Sequence, residues 1–149
     1  MSIYSLAYVS HSRLDDLTLD TRVEINSILE VARLRNAAAG VTGALMFNEH
    51  MFTQVLEGEE SAVRGIMSGI QRDPRHRDIT ILATSMVPYR SFTSWRMAFA
   101  GTSEVARTYY AAFAADRIMR KAITSQALCQ LMLRMIALDE SARAAEADA

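Results

Sequence analysis

The chain has 149 residues, half of them apolar, which fits one globular domain with a substantial core better than two domains. Sixteen Lys and Arg against 17 Asp and Glu give a formal net charge of -1, and without a basic run this charge does not indicate a nucleic-acid partner. A single cysteine, Cys129, excludes an intramolecular disulfide framework, and no stretch of about 18 apolar residues is available to cross a membrane, so we expect a cytoplasmic protein.

The chain begins with a predicted strand and a predicted helix. Residues 3–10, IYSLAYVS, are rich in aromatic and β-branched side chains, and alternation places Tyr4 and Tyr8 on the same face of a strand. After a polar loop the period changes, and over residues 21–38 apolar side chains recur at i, i+3, i+4 and i+7. This spacing predicts an amphipathic helix, and Gly40 is positioned to end it.

Two strands follow and are predicted to pair as a hairpin. Residues 41–47, VTGALMF, and 51–58, MFTQVLEG, are separated by only three residues, which is short enough for an antiparallel connection. In the second of these strands, Phe52, Gln54 and Leu56 share one face. A glutamine therefore lies between two large apolar neighbours.

A second helix is predicted from Gly58, which can cap its start, to a point before Pro74, because the residue preceding a proline avoids the helical region. Gly65 and Gly69 lie four residues apart within this helix, and each costs about 1 kcal/mol relative to alanine in a helix interior. The pair predicts that a strand or a ligand comes close to this side of the helix.

The remaining segments complete an α+β fold. Residues 78–87 and 94–100 are predicted as the fourth and fifth strands, so the order of elements is βαββαββ. This order predicts a ferredoxin-like fold, in which a five-stranded mixed sheet carries two helices on one face. Residues 101–149 return to helical spacing, and we expect two C-terminal helices that pack on the exposed sheet face or on a partner chain.

Common catalytic and metal-binding signatures are missing from the sequence. It contains no HExxH, CxxC or GxSxG motif and no glycine-rich phosphate loop. The three histidines, His11, His50 and His76, fall in separate predicted segments, so no metal site is predicted. The glutamates within residues 57–60 are explained in part by a helix start, where negative charge favours the helix dipole, and we assign them no acid–base role.

Gln54 is the residue that most clearly indicates a functional site. A buried amide without partners costs on the order of 1 to 3 kcal/mol, so a folded chain satisfies such a group or uses it. One interpretation is that Gln54 lies on an exposed strand face or forms a hydrogen bond with neighbouring backbone. The other is a polar site, because Tyr8 and Asn36 are predicted to offer a hydroxyl and a second amide on the same surface. Such a set would suit a flat heteroaromatic ligand bordered by carbonyl and ring-nitrogen acceptors.

Five short segments in a consistent order make the chain resemble a known family. The segments are YVS with Tyr8, RNAAAGVTGALMF with Asn36, FTQVLEG with Gln54, RDPRH with Arg75 and His76, and RSFTSWRM with Trp95 and Met97. Together they resemble the BLUF family, and the resemblance covers roughly residues 3–99. It implies a blue-light sensor that holds FAD noncovalently between the two helices of a ferredoxin-like fold.

The resemblance implies a photochemical role for two residues. On excitation, Tyr8 would give up an electron and a proton, and Gln54 would carry the proton toward the flavin. After the charges recombine, the glutamine would be left rotated or tautomerised, with a new hydrogen bond to a flavin carbonyl and a small red shift in absorption. Glutamine suits this role because its amide has a donor end and an acceptor end.

The resemblance also implies a set of cofactor contacts. Asn36 would bond the polar edge of the flavin. Ile28 and Ile70 would press on its two faces, and both isoleucines equally fit an ordinary core. Arg75 and His76 would lie along the ring system or, as the alternative, remain solvated charges at a helix C-terminus.

The resemblance also implies how the light signal leaves the photosensor. Trp95 and Met97 would pass the change from the glutamine to the C-terminal helices, the alternative being two core residues on an alternating strand. Residues 1–100 would form the flavin-binding photosensor and residues 101–149 a helical extension without enzyme activity. The signal would then leave as a changed contact with a downstream protein or within a homo-oligomer.

Two other functions stay open. One is a ferredoxin-like ligand-binding or oligomerisation module without photochemistry. The other is a small flavin-dependent oxidoreductase, for which the sequence shows no nicotinamide site. A sensor of the flavin–cysteine adduct type is disfavoured, because Cys129 falls in a C-terminal helical segment, far in sequence from the predicted pocket.

Overall fold

The fold is built on one mixed β-sheet. The structure, a computed structural model, describes residues 2–14, 17, 19–48, 50–93 and 96–147. Within this part, the chain forms five strands and five helices. Their bounds are β1 Ile3–Ser12, α1 Thr21–Ala39, β2 Thr42–Asn48, β3 Met51–Gly58, α2 Glu60–Gln71, β4 His76–Val87, β5 Ala98–Ala100, α3 Glu104–Phe113, α4 Ala115–Met119 and α5 Ser125–Ala147.

The strands lie side by side in the order β4-β1-β3-β2-β5. β1 pairs antiparallel with β3 and β4, β2 pairs antiparallel with β3, and β5 lies parallel to β2. This is a ferredoxin-like sheet with one added edge strand, so the predicted fold class is confirmed. The predicted hairpin of β2 and β3 is confirmed too, and Asn48 pairs with Met51 at its end.

Strand alternation divides the core into two layers on opposite faces of the sheet. On one face, α1 and α2 cover a cluster that includes Tyr8 and Phe52. On the other face, the C-terminal helices cover a cluster that includes Val55 and Met132. Because adjacent side chains of a strand point to opposite faces, Gln54 faces α1 and α2. The expectation that the C-terminal helices pack on the sheet is confirmed.

The ends of α1 follow from its capping residues. Asp20 is the N-cap, and its side chain accepts a hydrogen bond from the amide of Val23 at 3.0 Å. Gly40 ends the helix with a φ of 69°, a left-handed conformation that glycine adopts without steric cost. The predicted end of the first helix is thus confirmed.

The glycines around α2 correct two predictions. Gly58 does not cap this helix, because it pairs with Tyr4 as the last residue of β3, and Glu59 takes the N-cap position. Gly65 and Gly69 are exposed, and a Cβ atom at either would meet nothing within 4 Å. The predicted packing of a strand against these glycines is therefore wrong, since α2 buries a different side, formed by Val63, Ile66, Met67 and Ile70.

The last two strands differ from their predicted bounds. β4 begins at His76, two residues early, and β5 is limited to Ala98–Ala100 instead of 94–100. The carbonyls of Arg96 and Met97 accept side-chain hydrogen bonds from α1, which explains why the strand starts only after them. Ser94 and Trp95, in the predicted part of the strand, lie outside the described residues.

The C-terminal segment forms three described helices where two were expected. The short helix α4 lies between the two predicted ones. α3 ends where Ala114 adopts a φ of -136°, and α4 ends before Lys121, which has a φ of 58°. Within the described ranges, no helix has the length and apolar character needed to cross a membrane.

Candidate functional site

The centre of the site is a pair of buried side chains on neighbouring strands. Tyr8 of β1 lies directly opposite Gln54 of β3 in the antiparallel register. The Tyr8 hydroxyl donates a hydrogen bond to Gln54 Oε1, and the two residues are 1% and 3% exposed. The interpretation of Gln54 as a residue on an exposed strand face, or as one bonded to backbone, is therefore wrong.

The two ends of the Gln54 amide have unequal partners. Oε1 accepts from a phenol, whereas Nε2 lies 3.4 Å from the sulfur of Met97, which is 2% exposed. A thioether is a weak acceptor. A carbonyl oxygen that reached this amide N–H would be a better partner than the sulfur.

Burial determines the protonation state of the phenol. Burial raises the pKa of Tyr8 well above its ordinary value, and the nearby Arg35 guanidinium offsets this only in part. Tyr8 is therefore a neutral hydrogen-bond donor across the physiological range. Arg35 is itself partly buried, and this lowers its pKa even though Tyr8 and Asp73 act in the opposite direction.

Asn36, the second predicted amide, is fully buried near the end of α1. Its Nδ2 donates to the carbonyl oxygen of Arg96 at 2.7 Å, and its Oδ1 accepts from Arg35 Nε at 3.4 Å. Asn36 and Gln54 thus contact the same short segment of chain, because Asn36 bonds the backbone of residue 96 and Gln54 contacts the side chain of Met97.

His76 lies beside the tyrosine at the start of β4. Its Nδ1 is 2.8 Å from Ser10 Oγ, and its ring centroid is 4.6 Å from that of Phe52 and 6.3 Å, edge-on, from that of Tyr8. Burial lowers the pKa of His76, outweighing the carboxylate of Asp73, so the imidazole is neutral at pH 7. The alternative of a solvated charge is therefore wrong for His76.

Arg75 joins the α2–β4 turn to α1 through two ion pairs. Its Nη2 lies 2.7 Å from Asp73 Oδ2 and its Nη1 lies 3.0 Å from Glu24 Oε2, and all three side chains are about four-fifths buried. Burial alone would raise the pKa of Asp73, but hydrogen bonds from Arg75 hold it below its usual value. Arg75 is thus held in a network rather than solvated.

The other predicted residues lie around the same cluster. Ile70 of α2 is buried in it, and Ile28 of α1 packs against it while partly buried. Both the core and the pocket interpretation of these isoleucines are compatible with this placement. Met97 is also a member of the cluster. Trp95 lies outside the described residues, so its predicted place is left open.

Sequence reasoning missed two arginines of α1. Arg33 Nε donates to the carbonyl oxygen of Met97 at 3.1 Å, and Arg35 donates to the side chain of Asn36. The available signal was spacing, because Arg33 and Asn36 are three residues apart and share one side of a helix. Charged residues on a helix are usually solvated, which is why the pattern did not stand out.

The carboxylate of Glu57 has a structural role. Glu57 is 1% exposed and accepts hydrogen bonds from the backbone amides of Ser91 and Phe92 at 2.9 to 3.0 Å. It therefore holds the connection between β4 and β5 against β3. In the part of the chain that the structure describes, no three metal-binding side chains converge.

Comparison with known proteins places this geometry in a family context. The family model for BLUF, sensors of blue-light using FAD, matches residues 3–98. The blue light- and temperature-regulated antirepressor BluF of Escherichia coli is 39% identical over 88 residues, which are 59% of this chain and 21% of that protein. The photoactivated adenylate cyclase subunit beta of Euglena gracilis is 31% identical over 119 residues, which are 72% of this chain and 14% of the relative. The chain thus spans only a small part of the length of these relatives.

Two solved structures are similar over most of the chain. The photo-activated state of BlsA superposes on this chain with a TM-score of 0.76 at 25% identity. The superposition covers 90% of this chain and 94% of the BlsA chain. The dark state of the BLUF protein BlrB superposes on this chain with a TM-score of 0.70 at 28% identity. The superposition covers 87% of this chain and 94% of the BlrB chain. Both similarities extend past the region of the family match, into the C-terminal helices.

Proposed function

The chain belongs to the BLUF family of blue-light sensors, and we propose that it detects light through a noncovalently bound FAD held beside Tyr8 and Gln54. The observation that supports this most is the buried hydrogen bond from the Tyr8 hydroxyl to Gln54 Oε1 on the central strands of the sheet. The match to the family covers all of the elements that build this pair.

The side chains around the pair fit the polar edge of a flavin. Among the described residues, the acceptor of the Gln54 Nε2 N–H is a thioether, and the amide of Asn36 is buried nearby, next to the partly buried Arg35. We assign Asn36 and Gln54 to the carbonyl and ring-nitrogen acceptors of the flavin. Ile28 and Ile70, on the two helices above the sheet, would lie against its ring faces.

Two further residues would border the cofactor from the start of β4. His76 is neutral and packs against Phe52 beside Tyr8, which suits a position along an uncharged ring system. Arg75 would act mainly by tying this turn to α1 through Asp73 and Glu24, since its guanidinium is already occupied by both carboxylates.

The photochemistry starts from the phenol. When bound and excited by blue light, the flavin supplies an electron acceptor and a site for one proton. Tyr8 gives up an electron, and its phenolic proton moves along the existing hydrogen bond to Gln54 Oε1. Because burial raises the pKa of Tyr8, loss of the proton alone is unfavourable and has to accompany loss of the electron. With Oε1 protonated, Gln54 would pass a proton from Nε2 toward the flavin, and an electron and a proton would return to Tyr8 afterwards, so no net oxidation remains.

Gln54 retains the result of this event. Rotation of its amide, or tautomerisation, exchanges the donor and acceptor functions of Oε1 and Nε2. The hydrogen bond to the ring acceptor then changes, which would give the red shift in absorption. After the exchange, the Met97 sulfur would face an acceptor instead of an N–H, so its weak attraction to Gln54 would be lost.

The change would then travel through Met97 to the C-terminal helices. Met97 directly precedes β5, and Asp139 of α5 accepts a hydrogen bond from the amide of Gly101, directly after β5, at 2.8 Å. We assign Trp95 to the same relay, residues 1–100 to the photosensor and residues 101–149 to its helical extension.

The output would be a changed contact with a downstream protein or with a second copy of the chain. The E. coli relative is named an antirepressor, and by analogy we propose that this chain acts on another protein and is not itself an enzyme.

An absorption spectrum before and after blue illumination tests the proposal. We expect a flavin spectrum with a small red shift that reverses in darkness. Tyr8→Phe and Gln54→Leu should keep the flavin and lose the shift. Tyr4→Phe is the matched control, because Tyr4 lies on the same strand face and its buried hydroxyl has no hydrogen-bond partner within the described residues.

Other outcomes would favour the alternatives. A normal photocycle in Tyr8→Phe or Gln54→Leu would contradict the roles assigned to these residues. A colourless protein would favour a ligand-binding module without photochemistry. Turnover of a reduced nicotinamide would favour a flavin-dependent oxidoreductase.

A further inference from the structure

A cleft of about 890 Å³ lies on the face of the sheet that the C-terminal helices cover. The ends of β1 and β2 and the starts of β3 and β4 form one wall, and α3 and α4 form the other. This volume is within the range of clefts that bind small molecules, about 300 to 1,000 Å³. The cleft is therefore large enough for a ligand of its own.

The cleft is separate from the proposed flavin site, although the same strands build both. His11 of β1 is paired with Arg77 of β4, and both side chains line the cleft. Their neighbours Ser10 and His76 point to the opposite face, where Ser10 Oγ lies 2.8 Å from His76 Nδ1. The thickness of the sheet thus lies between the cleft and the proposed flavin site.

The charged groups of the cleft favour an anionic ligand. Arg77 from the sheet and Arg107 from α3 line it, and Glu104 is the one carboxylate among its described lining residues. Two arginines against one glutamate leave an excess of one positive charge. His11 and His50 add two imidazoles, which can donate hydrogen bonds to an anion.

Both guanidinium groups retain N–H donors for a ligand. Within the described residues, the ion pair of Arg77 is with Asp78, at 3.7 Å between Nη1 and Oδ2, and both side chains are more than half exposed. Such a pair is weak, and a ligand can replace it. Arg107 uses Nη1 for the carbonyl oxygens of Thr102, at 2.9 Å, and Gly101, at 3.5 Å. Because a guanidinium has five N–H donors, most of those of Arg107 remain available.

Apolar side chains supply another part of the lining. Met51 at the start of β3 and Met119 at the end of α4 both line the cleft, together with Ala111 and Ala115. Methionine side chains are flexible and adapt to the shape of a bound group. A ligand that matches the whole lining therefore combines an apolar body with an anionic group. Phosphate and carboxylate both fit a guanidinium.

We propose that this cleft binds a small organic anion, whose phosphate or carboxylate group lies at Arg77 and Arg107 and whose apolar body lies against Met51 and Met119. The inference goes beyond the proposed function, because it assigns a second ligand to the face of the sheet opposite to the proposed flavin site.

Isothermal titration calorimetry of the protein in darkness at pH 7 tests the proposal with four probes. 1-Naphthyl phosphate and 1-naphthoate carry the two anionic groups on one aromatic body, naphthalene-1-methanol is neutral, and inorganic phosphate has no apolar body. We expect a dissociation constant of about 0.5 mM for 1-naphthyl phosphate, from its roughly 15 non-hydrogen atoms at ordinary ligand efficiency. The neutral probe and inorganic phosphate should each bind at least about five-fold more weakly. The tighter of the two naphthyl anions identifies the preferred anionic group.

Two pairs of variants locate the binding site. Arg77→Gln removes a cation from the cleft, and Arg22→Gln is its control, because Arg22 is an exposed arginine of α1 on the other face of the sheet. Ala111→Phe fills part of the cleft, and Ala112→Phe is its control, because Ala112 is the next exposed alanine of α3 and is not part of the lining.

The two variants of the cleft should differ in which probes they affect. Arg77→Gln should weaken 1-naphthyl phosphate about five-fold and leave naphthalene-1-methanol unchanged, because only the anion uses the guanidinium. Ala111→Phe should weaken both probes at least about five-fold, because it takes up space. Arg22→Gln and Ala112→Phe should match the wild type.

Equal affinities for 1-naphthyl phosphate and naphthalene-1-methanol would overturn the proposal, as would the absence of heat with all four probes. Equal effects of Arg77→Gln and Arg22→Gln would overturn it too, since binding would then lie elsewhere. If Ala111→Phe does not fold, Arg77→Gln decides alone, because Arg77 is exposed. A protein without a light-induced shift would refute the photochemical proposal and not this one, since the titrations are made in darkness.

Discussion

Asp139 is a buried anchor between α5 and the start of α3, and its replacement by asparagine should destabilise the protein strongly. It is 1% exposed and accepts hydrogen bonds from the amides of Gly101, Thr102 and Ser103 at 2.8, 3.2 and 2.8 Å. It also accepts one from Ser103 Oγ at 2.6 Å. Ser103 in turn caps α3 by accepting from the amide of Ala106 at 3.1 Å.

The expected loss of stability follows from the hydrogen bonds that an asparagine at position 139 can still accept. One amide oxygen remains as a neutral acceptor, and hydrogen bonds to it are weaker by about 1 kcal/mol each than those to a carboxylate. The other oxygen becomes an NH₂ group that faces N–H donors, which leaves those donors without a partner. Since residues 102 and 103 are partly accessible to water, some of this loss is recovered. We expect Asp139→Asn to lower the free energy of unfolding by about 3 kcal/mol.

The same contribution depends on pH. Burial alone would raise the pKa of Asp139, but hydrogen bonds from the Ser103 hydroxyl and from the amides of residues 101–103 outweigh it and lower the pKa below its usual value. A carboxylate with a depressed folded pKa contributes its full stabilisation above its unfolded pKa, about 3.9, and loses it as the pH falls through the folded pKa. The difference between wild type and Asp139→Asn should therefore be largest at pH 7 and shrink below about pH 4.

Urea unfolding followed by circular dichroism at several pH values measures both effects. Glu140→Gln is the control, because Glu140 is the next residue of α5 and is exposed, so its substitution should change the stability by no more than about 0.5 kcal/mol. Equal stabilities of the two variants at pH 7 would refute the argument from hydrogen bonds. A difference that grows on acidification would refute the argument from the pKa.

Two further predictions concern the connection between β4 and β5 and the only cysteine. Arg90 donates hydrogen bonds to Thr42 Oγ1 and to the carbonyls of Gly40 and Glu57 at 2.8 to 3.0 Å, so Arg90→Leu should lower the free energy of unfolding in urea by about 2 kcal/mol and Arg90→Lys by less. Equal stability of wild type and Arg90→Leu would contradict this. Burial raises the pKa of Cys129 to about 11. At pH 8 its thiolate fraction should then be roughly a hundred times smaller than in an unfolded chain whose thiol has the ordinary pKa of 9.0, and a disulfide reagent should react correspondingly more slowly without urea than with it. Similar rates in the two conditions would contradict the burial of this thiol.

The order of elements could be predicted because its signals are local. Alternation and helical spacing appear within a few residues of each other, and they predicted β1, α1 and the hairpin correctly. The start of β5 could not be predicted, because it depends on Arg33 and Asn36, which reach it from a helix some 60 residues earlier in the chain. The prediction that a strand packs against Gly65 and Gly69 was wrong for a related reason. A glycine within a helix is compatible with free space as well as with a close neighbour.

The candidate site was predictable only in part. Strand parity groups Tyr8 with Leu6 and Gln54 with Phe52, but the shared face and the direct opposition of Tyr8 and Gln54 both depend on the register between β1 and β3, which no short segment displays. The ion pair of Arg75 with Glu24 joins residues 51 positions apart, so the charge pattern of either segment says nothing about it. The network around Arg75 is therefore a tertiary property, and a solvated arginine was an equally good interpretation of the sequence.

The sheet topology supports the proposed role of Met97 as the residue that receives a change at Gln54. Gln54 lies in β3, the middle strand, which is paired along its length with β1 on one side and with β2 on the other. Its backbone cannot shift without breaking two ladders, so a change in the amide has to leave through a side-chain contact. Met97 directly precedes β5, an edge strand of three residues that is paired on one side only. In the described part of the chain, the contact between the Gln54 amide and the Met97 thioether thus connects the middle strand of the sheet to the residue that precedes its three-residue edge strand.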